Sequence, residues 1–357
     1  MPLCSPPNVK EVELSIFGNS FGESILIHLG NNEWIIVDSF VDYLNKRAVA
    51  LNYLDKIKVD YSAVKAIVAT HWHDDHIRGL SEVMVNCKNA VFICSAAIKA
   101  ADFQEFIFSD SDLIEGRSGN YELRKILEEL ARRKGAAKYA LENRILFSNQ
   151  LYQIYSLSPS DYAMLLALKE IAFLLPKEAQ PRKGIPHIHP NHTGIVLLIV
   201  INGKGILLGA DLEEKGDNRM GWTKIINSQE RPKIRSSNFK IPHHGSVTAH
   251  HEGIWISLLD KEPLSFLTSF ILGNQILPKK ADIKRILSYT SNAWITTNPN
   301  ERQKSIKREP MIEKTIKETV KSIRALPDNG QIRIRYCDSR KKWETELFGS
   351  AMLLSKC

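Results

Sequence analysis

Four side chains able to hold a metal ion crowd into six positions of this 357-residue chain: His71, His73, Asp75 and His76, in the run His-Trp-His-Asp-Asp-His. Imidazole and carboxylate are donors that zinc accepts readily, at about 2.0–2.2 Å per bond. In a tight loop, alternate residues such as His71 and His73 can point the same way, while Asp75 and His76 turn toward a second ion. The run follows directly on Val64 to Thr70 (VKAIVAT), whose apolar content predicts a buried strand, so the donors are presented at a strand end. A lone histidine is ordinarily a core or surface residue; four donors this dense behind a strand predict metal chemistry.

The elements that must position this run are legible on both sides of it. Residues 11–38 alternate short apolar runs with turns (EVELSIFG, ESILIHLG, EWIIVDS), predicting three strands. Residues 43–57 have a helical pattern, and Ala90 to Cys94 predicts another strand. Residues 96–180 are mostly helical in pattern, notably 121–142 and 160–175, with one strand at Leu151 to Leu157. Pro181 to Asn191 is a loop rich in Pro and His. Two strands joined by Asn202-Gly203 predict a hairpin, a further strand spans Asn238 to Ile241, and Ala293 to Thr297 and Gln331 to Tyr336 are the clearest later ones. Strands with helices between and a second set of strands point to two sheets covered by helices.

Composition sets outer limits. The chain is 43% hydrophobic and 25% charged, as globular proteins are. Its longest purely apolar run, Ile195 to Ile201, falls far short of the roughly 20 residues that span a bilayer. Residues 1–10 lack the apolar stretch of a secretion signal, so a cytoplasmic protein with no membrane partner is expected. The five cysteines (Cys4, Cys87, Cys94, Cys337, Cys357) form no C-x-x-C pair and predict reduced thiols. The net charge of +8 is concentrated: residues 301–342 carry 13 Lys and Arg against 6 Asp and Glu. That excess suits a polyanion such as DNA or RNA, although Lys304, Lys307, Lys314, Lys317 and Lys321 also have the spacing of a solvated helix.

The motif H-x-H-x-D-H, carried by His71, His73, Asp75 and His76 with Gly79 after it, resembles the signature of the metallo-β-lactamase superfamily. Asp38 in EWIIVDS resembles the family's aspartate at the end of an earlier strand. Asp211 in GILLGAD resembles its later aspartate, though this chain has Ala210 where the family usually has Gly. His243-His244-Gly245-Ser246 resembles its last histidine motif. The opening FGNSFGESILIHL, the segment LSPS at 157–160 and KIPHHGS at 240–246 are similar to the soluble hydrolase domain of the ComEC DNA-uptake proteins and its stand-alone relatives.

The resemblance implies an α/β fold, a four-layer αβ/βα sandwich of two mixed sheets flanked by helices. It would occupy residues 1–300, with a helical insertion around 96–180, and a basic helix and strands at 301–357 would pack on the same domain. It implies two divalent ions, Zn²⁺ with Mn²⁺ as the alternative. One would take His71, His73 and a third histidine, for which His192 is preferred over His187 and His189. The other would take Asp75, His76 and His243, with Asp211 bridging and His244 beside the site as substrate contact or leaving-group acid. Asp38 would accept a ring N–H from a ligating histidine and fix its tautomer, and Asp75 would also orient the nucleophile.

The expected activity is hydrolysis through a metal-bound hydroxide, with a phosphodiesterase or nuclease first. There Lys240, Arg340, Lys341 and Lys342 would contact phosphates. The alternatives are a hydrolase of a small ester, lactone or nucleotide, and a metal-stabilised component of a bacterial defence assembly with protein partners and little turnover. Oligomeric state is left open by the sequence.

Overall fold

The computed structural model describes residues 5–99, 104, 107, 119–134, 137–174, 190–300, 309, 311, 315, 319, 329–337 and 341–357. Two eight-stranded sheets face each other. The first contains β1 (Val12–Gly18), β2 (Glu23–His28), β3 (Trp34–Val37), β4 (Val64–Val68), β5 (Val91–Ser95), β6 (Lys138–Ala140), β16 (Gly330–Cys337) and β17 (Lys342–Phe348), ordered β17-β16-β1-β2-β3-β4-β5-β6. The second contains β7 (Arg144–Ser148), β8 (Tyr152–Ser156), β9 (Leu197–Ile201), β10 (Lys204–Leu208), β11 (Ser236–Lys240), β12 (Leu259–Leu267), β15 (Ala293–Ile295) and β18 (Met352–Leu353), ordered β18-β15-β12-β11-β10-β9-β8-β7. A small hairpin, β13 (Phe270–Leu272) with β14 (Gln275–Leu277), stands apart from both.

Each sheet is mixed. Strands β3 to β6 run parallel beside the antiparallel β16-β1-β2-β3 set. In the second sheet β10, β11, β12 and β15 run parallel. Alternation along each strand divides the apolar side chains between two interfaces. In β1, Val12, Leu14 and Ile16 face the partner sheet and Phe17 faces the helices; in β9, Leu197, Ile199 and Ile201 face inward and Leu198 and Val200 outward. Strands buried on both faces become continuous apolar runs, which is why VELSIFG and LLIVI contain so few charges.

Helices cover the outer faces. α1 (Val49–Lys56), α2 (Asp74–Ile77), α3 (Leu80–Asn86) and α4 (Gly119–Arg133) pack on the first sheet, joined by α5 (Asp161–Leu174) through Ile171. α6 (Gly221–Asn227) and α7 (Lys280–Leu287) pack on the second through Trp222, Ile225, Ile283 and Ile286. Three apolar cores thus separate four layers, helix–sheet–sheet–helix, and the α/β sandwich expected from the resemblance is the fold observed. Among the described residues, no helix is long and apolar enough to cross a membrane.

One sequence expectation needs correcting. The stretch 96–180, expected to be mostly helical with one strand at 151–157, also contains β6 and β7, which form one edge of each sheet beside the expected β8. Lys134, at a left-handed φ of 50°, ends α4, and β6 then pairs in parallel with β5 instead of extending the helix toward residue 142. Strand β7 left little signal because it is an edge strand: Leu146 is buried while Ile145 stays about half exposed, at 54%. The C-terminal segment is built into the sandwich, since β16 lies between β1 and β17 in the first sheet and β18 closes the second.

Candidate dimetal site

The donors that come together follow the carboxyl ends of strands that pair in parallel. Asp38 follows β3, His71 follows β4, Asp211 follows β10, and His243 and His244 follow β11. Such ends converge in open α/β sheets, where ligand sites are expected. Here the two sheets bring their carboxyl ends to one edge of the sandwich, and residues 71–76 meet residues 211 and 244.

The centre of the group is Asp211. Its Oδ2 lies 4.0 Å from His71 Nε2 and 3.5 Å from His244 Nε2, and its Oδ1 lies 3.4 Å from His76 Nε2. Asp75 Oδ2 lies 3.4 Å from His76 Nε2 and 3.1 Å from His244 Nε2. The His73 ring sits edge-on to His71, 4.9 Å between centroids. All of these side chains but the half-buried His73 are buried.

The rings are held from behind. Asp38 accepts from Thr70 twice, through the backbone N–H at 2.8 Å and the hydroxyl at 2.6 Å, and its Oδ2 is 2.8 Å from His76 Nδ1. With its proton committed to Asp38, the Thr70 hydroxyl can only accept from His71 Nδ1, 3.0 Å away. One carboxylate therefore holds the Nδ1 sides of both His71 and His76 and directs their Nε2 atoms at Asp211.

Charge in this pocket is tightly coupled. Burial would raise the carboxyls of Asp75 and Asp211, but His76 and His244 hold both well below the usual carboxylate range. Burial would lower His76, but Asp211 and Asp75 hold it well above an ordinary imidazole. His71 is driven well below by burial and by His76. Asp38 is raised by burial despite its bonds from His76 and Thr70.

The donor set fits divalent cations. His71 Nε2, His76 Nε2 and Asp211 Oδ1 are buried, face the group and have no hydrogen-bond partner. Buried polar atoms normally find partners, and a cation would satisfy all three. Asp75, His76, Asp211 and His244 offer donor atoms within 4.8 Å of one another, as do Asp38, His71 and His76.

It is His244, not His243, that closes the group. His243 Nδ1 turns instead toward Thr248 Oγ1 at 3.0 Å and Glu213 Oε1 at 3.4 Å. The tight turn separates the neighbours: His243, His244 and Gly245 have φ of 48°, 51° and 82°, and the coiling throws the two rings apart, 6.3 Å between centroids. His192 is half-buried in the short turn Pro190–Thr193, where its charge is felt by Glu213. Glu213 was passed over in the sequence, where it lies in an unremarkable acidic loop. His187 and His189 lie outside the described residues.

Lys240 requires a correction as a phosphate contact. It is wholly buried, with Nζ 2.7 Å from Glu23 Oε2. As the last residue of a central strand it points into the sandwich and cannot meet a polyanion. Lys341 and Lys342 are exposed at the start of β17, and Arg340 lies outside the described residues.

Residues 18–135, which include Asp38 and the 71–76 run, match the metallo-β-lactamase superfamily. Among solved structures, the chain is similar to a metallo-β-lactamase from Cronobacter sakazakii with substitutions in its HARLDQ motif, at 13% identity over 62% of this chain and 64% of that one, TM-score 0.32. It is similar to the metallo-β-lactamase MIM-2 at 13% identity over 60% and 64%, TM-score 0.33. The overlap spans less than two thirds of either structure's own length. No curated protein matches the chain.

Proposed function

We propose that this chain, which carries a metallo-β-lactamase superfamily domain, is a two-metal hydrolase that cleaves phosphodiester bonds in nucleic acid. The hydrolase reading is carried by one observation: three buried, partnerless donor atoms on His71, His76 and Asp211 face one another where the two sheets meet. One ion would be held by His71, His73 and Asp211, the other by Asp75, His76 and His244 with Asp211 shared. Bound there, divalent cations would acidify water and offset negative charge on the scissile group.

The chain's own residues prepare this chemistry. Asp38 and Thr70 hold the Nδ1 sides of His71 and His76 and turn both Nε2 atoms toward Asp211. Asp75, 3.1 Å from His244, would orient the attacking oxygen by accepting a hydrogen bond from it. Support for a polyanionic substrate comes from the net charge of +8 and the exposed Lys341 and Lys342.

One observation favours a second reading, a small ester or lactone. Phe270 lies tilted against His244, 5.2 Å between ring centroids, and packs 5.5 Å from Phe21, with Arg78 over the Phe21 ring at 5.6 Å. An aromatic flank of this kind suits an organic group.

The test is metal content and cleavage measured on one preparation. The chain is loaded with Zn²⁺ or Mn²⁺ and given linear, circular and single-stranded DNA, RNA and a chromogenic diester, with Asp75→Ala as control. Cleavage of a polynucleotide by wild type alone is the expected result. Turnover of a chromogenic carboxylic ester or lactone, given in the same assay, without any polynucleotide cleavage would replace the nuclease reading with the second one.

A further inference from the structure

The buried Lys240 and Glu23 are not explained by packing. A buried ion pair is often no more stabilising than apolar side chains of similar volume, because both charges must leave water. A sandwich core with no other use for these positions would carry apolar side chains there. Both residues sit directly behind His244, linked to it by Thr268.

The links have a fixed direction. The Thr268 hydroxyl donates to Glu23 Oε2 at 2.6 Å, and Thr268 Oγ1 lies 2.9 Å from His244 Nδ1. A carboxylate only accepts, so the hydroxyl proton is committed to Glu23 and Thr268 can only accept from the ring. His244 Nδ1 must therefore carry hydrogen, which leaves Nε2, 3.1 Å from Asp75 Oδ2 and 3.5 Å from Asp211 Oδ2, as the ring atom that would give up its shared proton in favour of a bound ion. Lys240 Nζ lies 2.7 Å from Glu23 Oε2, so the pair is charge-balanced inside the protein. Gly18 makes room for Thr268: a Cβ there would come within 2.8 Å of the Thr268 methyl.

We propose that Glu23, Thr268 and Lys240 are positioning residues that lock His244 as an Nε2 donor toward Asp75 and Asp211. This rests on the two-ion reading above. The three come from both sheets, Glu23 from β2, Lys240 from β11 and Thr268 from the end of β12, so the lock also pins the sheets at the site.

The full chain and its Thr268→Val and Thr268→Ser variants would be titrated with Zn²⁺ against a chromophoric chelator, and with Co²⁺ by visible spectrum. Valine keeps the shape and removes the hydroxyl; serine keeps the hydroxyl. The expected result is two ions in wild type, about 10- to 100-fold weaker binding of one of them in Thr268→Val with a changed Co²⁺ spectrum, and recovery in Thr268→Ser. Wild-type affinity and spectrum in Thr268→Val would overturn the lock, as would a Thr268→Ser variant as weak as valine. Should valine prevent folding, ¹⁵N shifts of the histidines in zinc-loaded wild type decide: hydrogen on His244 Nδ1 is expected, and hydrogen on Nε2 overturns it. A wild type that binds no ion would instead sink the two-ion reading.

Discussion

His76 and His244 flank the same two aspartates, yet the protein supports them differently. His76 leans directly on a carboxylate, Asp38, from the neighbouring strand of its own sheet. His244 leans on a neutral hydroxyl, Thr268, backed by a carboxylate from the opposite sheet whose charge Lys240 balances. A carboxylate in contact pushes electron density and charge onto a ring, whereas a hydroxyl relay gives orientation with little charge. The pocket already contains three buried carboxylates in Asp38, Asp75 and Asp211. A fourth uncompensated one behind His244 would add repulsion, and the Thr268–Glu23–Lys240 arrangement supplies direction without it.

Removing the group both supports serve should have the largest effect. Asp211→Ala is expected to lower hydrolysis by on the order of 1,000-fold or more and to lose bound metal, read by elemental analysis of the same sample. Next comes the charge balance of the second support. Lys240→Met alone should destabilise the fold by about 3–5 kcal/mol in urea unfolding, because Glu23 is left buried and unpaired, while Lys240→Met with Glu23→Gln should recover most of the loss. Equal stability of the single and double variants would mean the pair is not coupled.

The two neighbouring histidines provide a sharper contrast. His244→Ala should weaken metal binding by about 100-fold and His243→Ala by clearly less; the reverse order would reassign the ligand. Asp38→Asn should cost about 10- to 100-fold in metal affinity, since only one amide oxygen accepts and the NH2 would face either the Thr70 N–H or the Thr70 hydroxyl and His76 Nδ1. The smallest effect is expected at Ala210, whose left-handed φ of 46° is costly for a residue with a Cβ. Ala210→Gly should raise stability by about 1 kcal/mol without changing metal content, measured by the same urea titration.

Ala210 shows how far a resemblance carries. Ala210 stands where the resemblance leads one to expect glycine, and its left-handed φ of 46° is one that glycine adopts without strain. The turn is held in place instead by His243, whose backbone N–H donates to the Ala210 carbonyl at 3.0 Å.

The sequence alone determined what is periodic or contiguous. Strands buried on both faces had to be apolar runs, so the sheets could be read from composition. Donors of the 71–76 run share one loop, so their convergence needed only local geometry. Tertiary structure alone decided what depends on direction. Three left-handed residues in a row turn His244 inward and His243 toward Glu213, a choice that the letters His-His-Gly leave open. Strand alternation and sheet order turned Lys240 from a surface cation into the buried partner of Glu23, 217 positions earlier in the chain. Contacts between distant residues follow from how sheets stack, and a linear pattern holds no record of that.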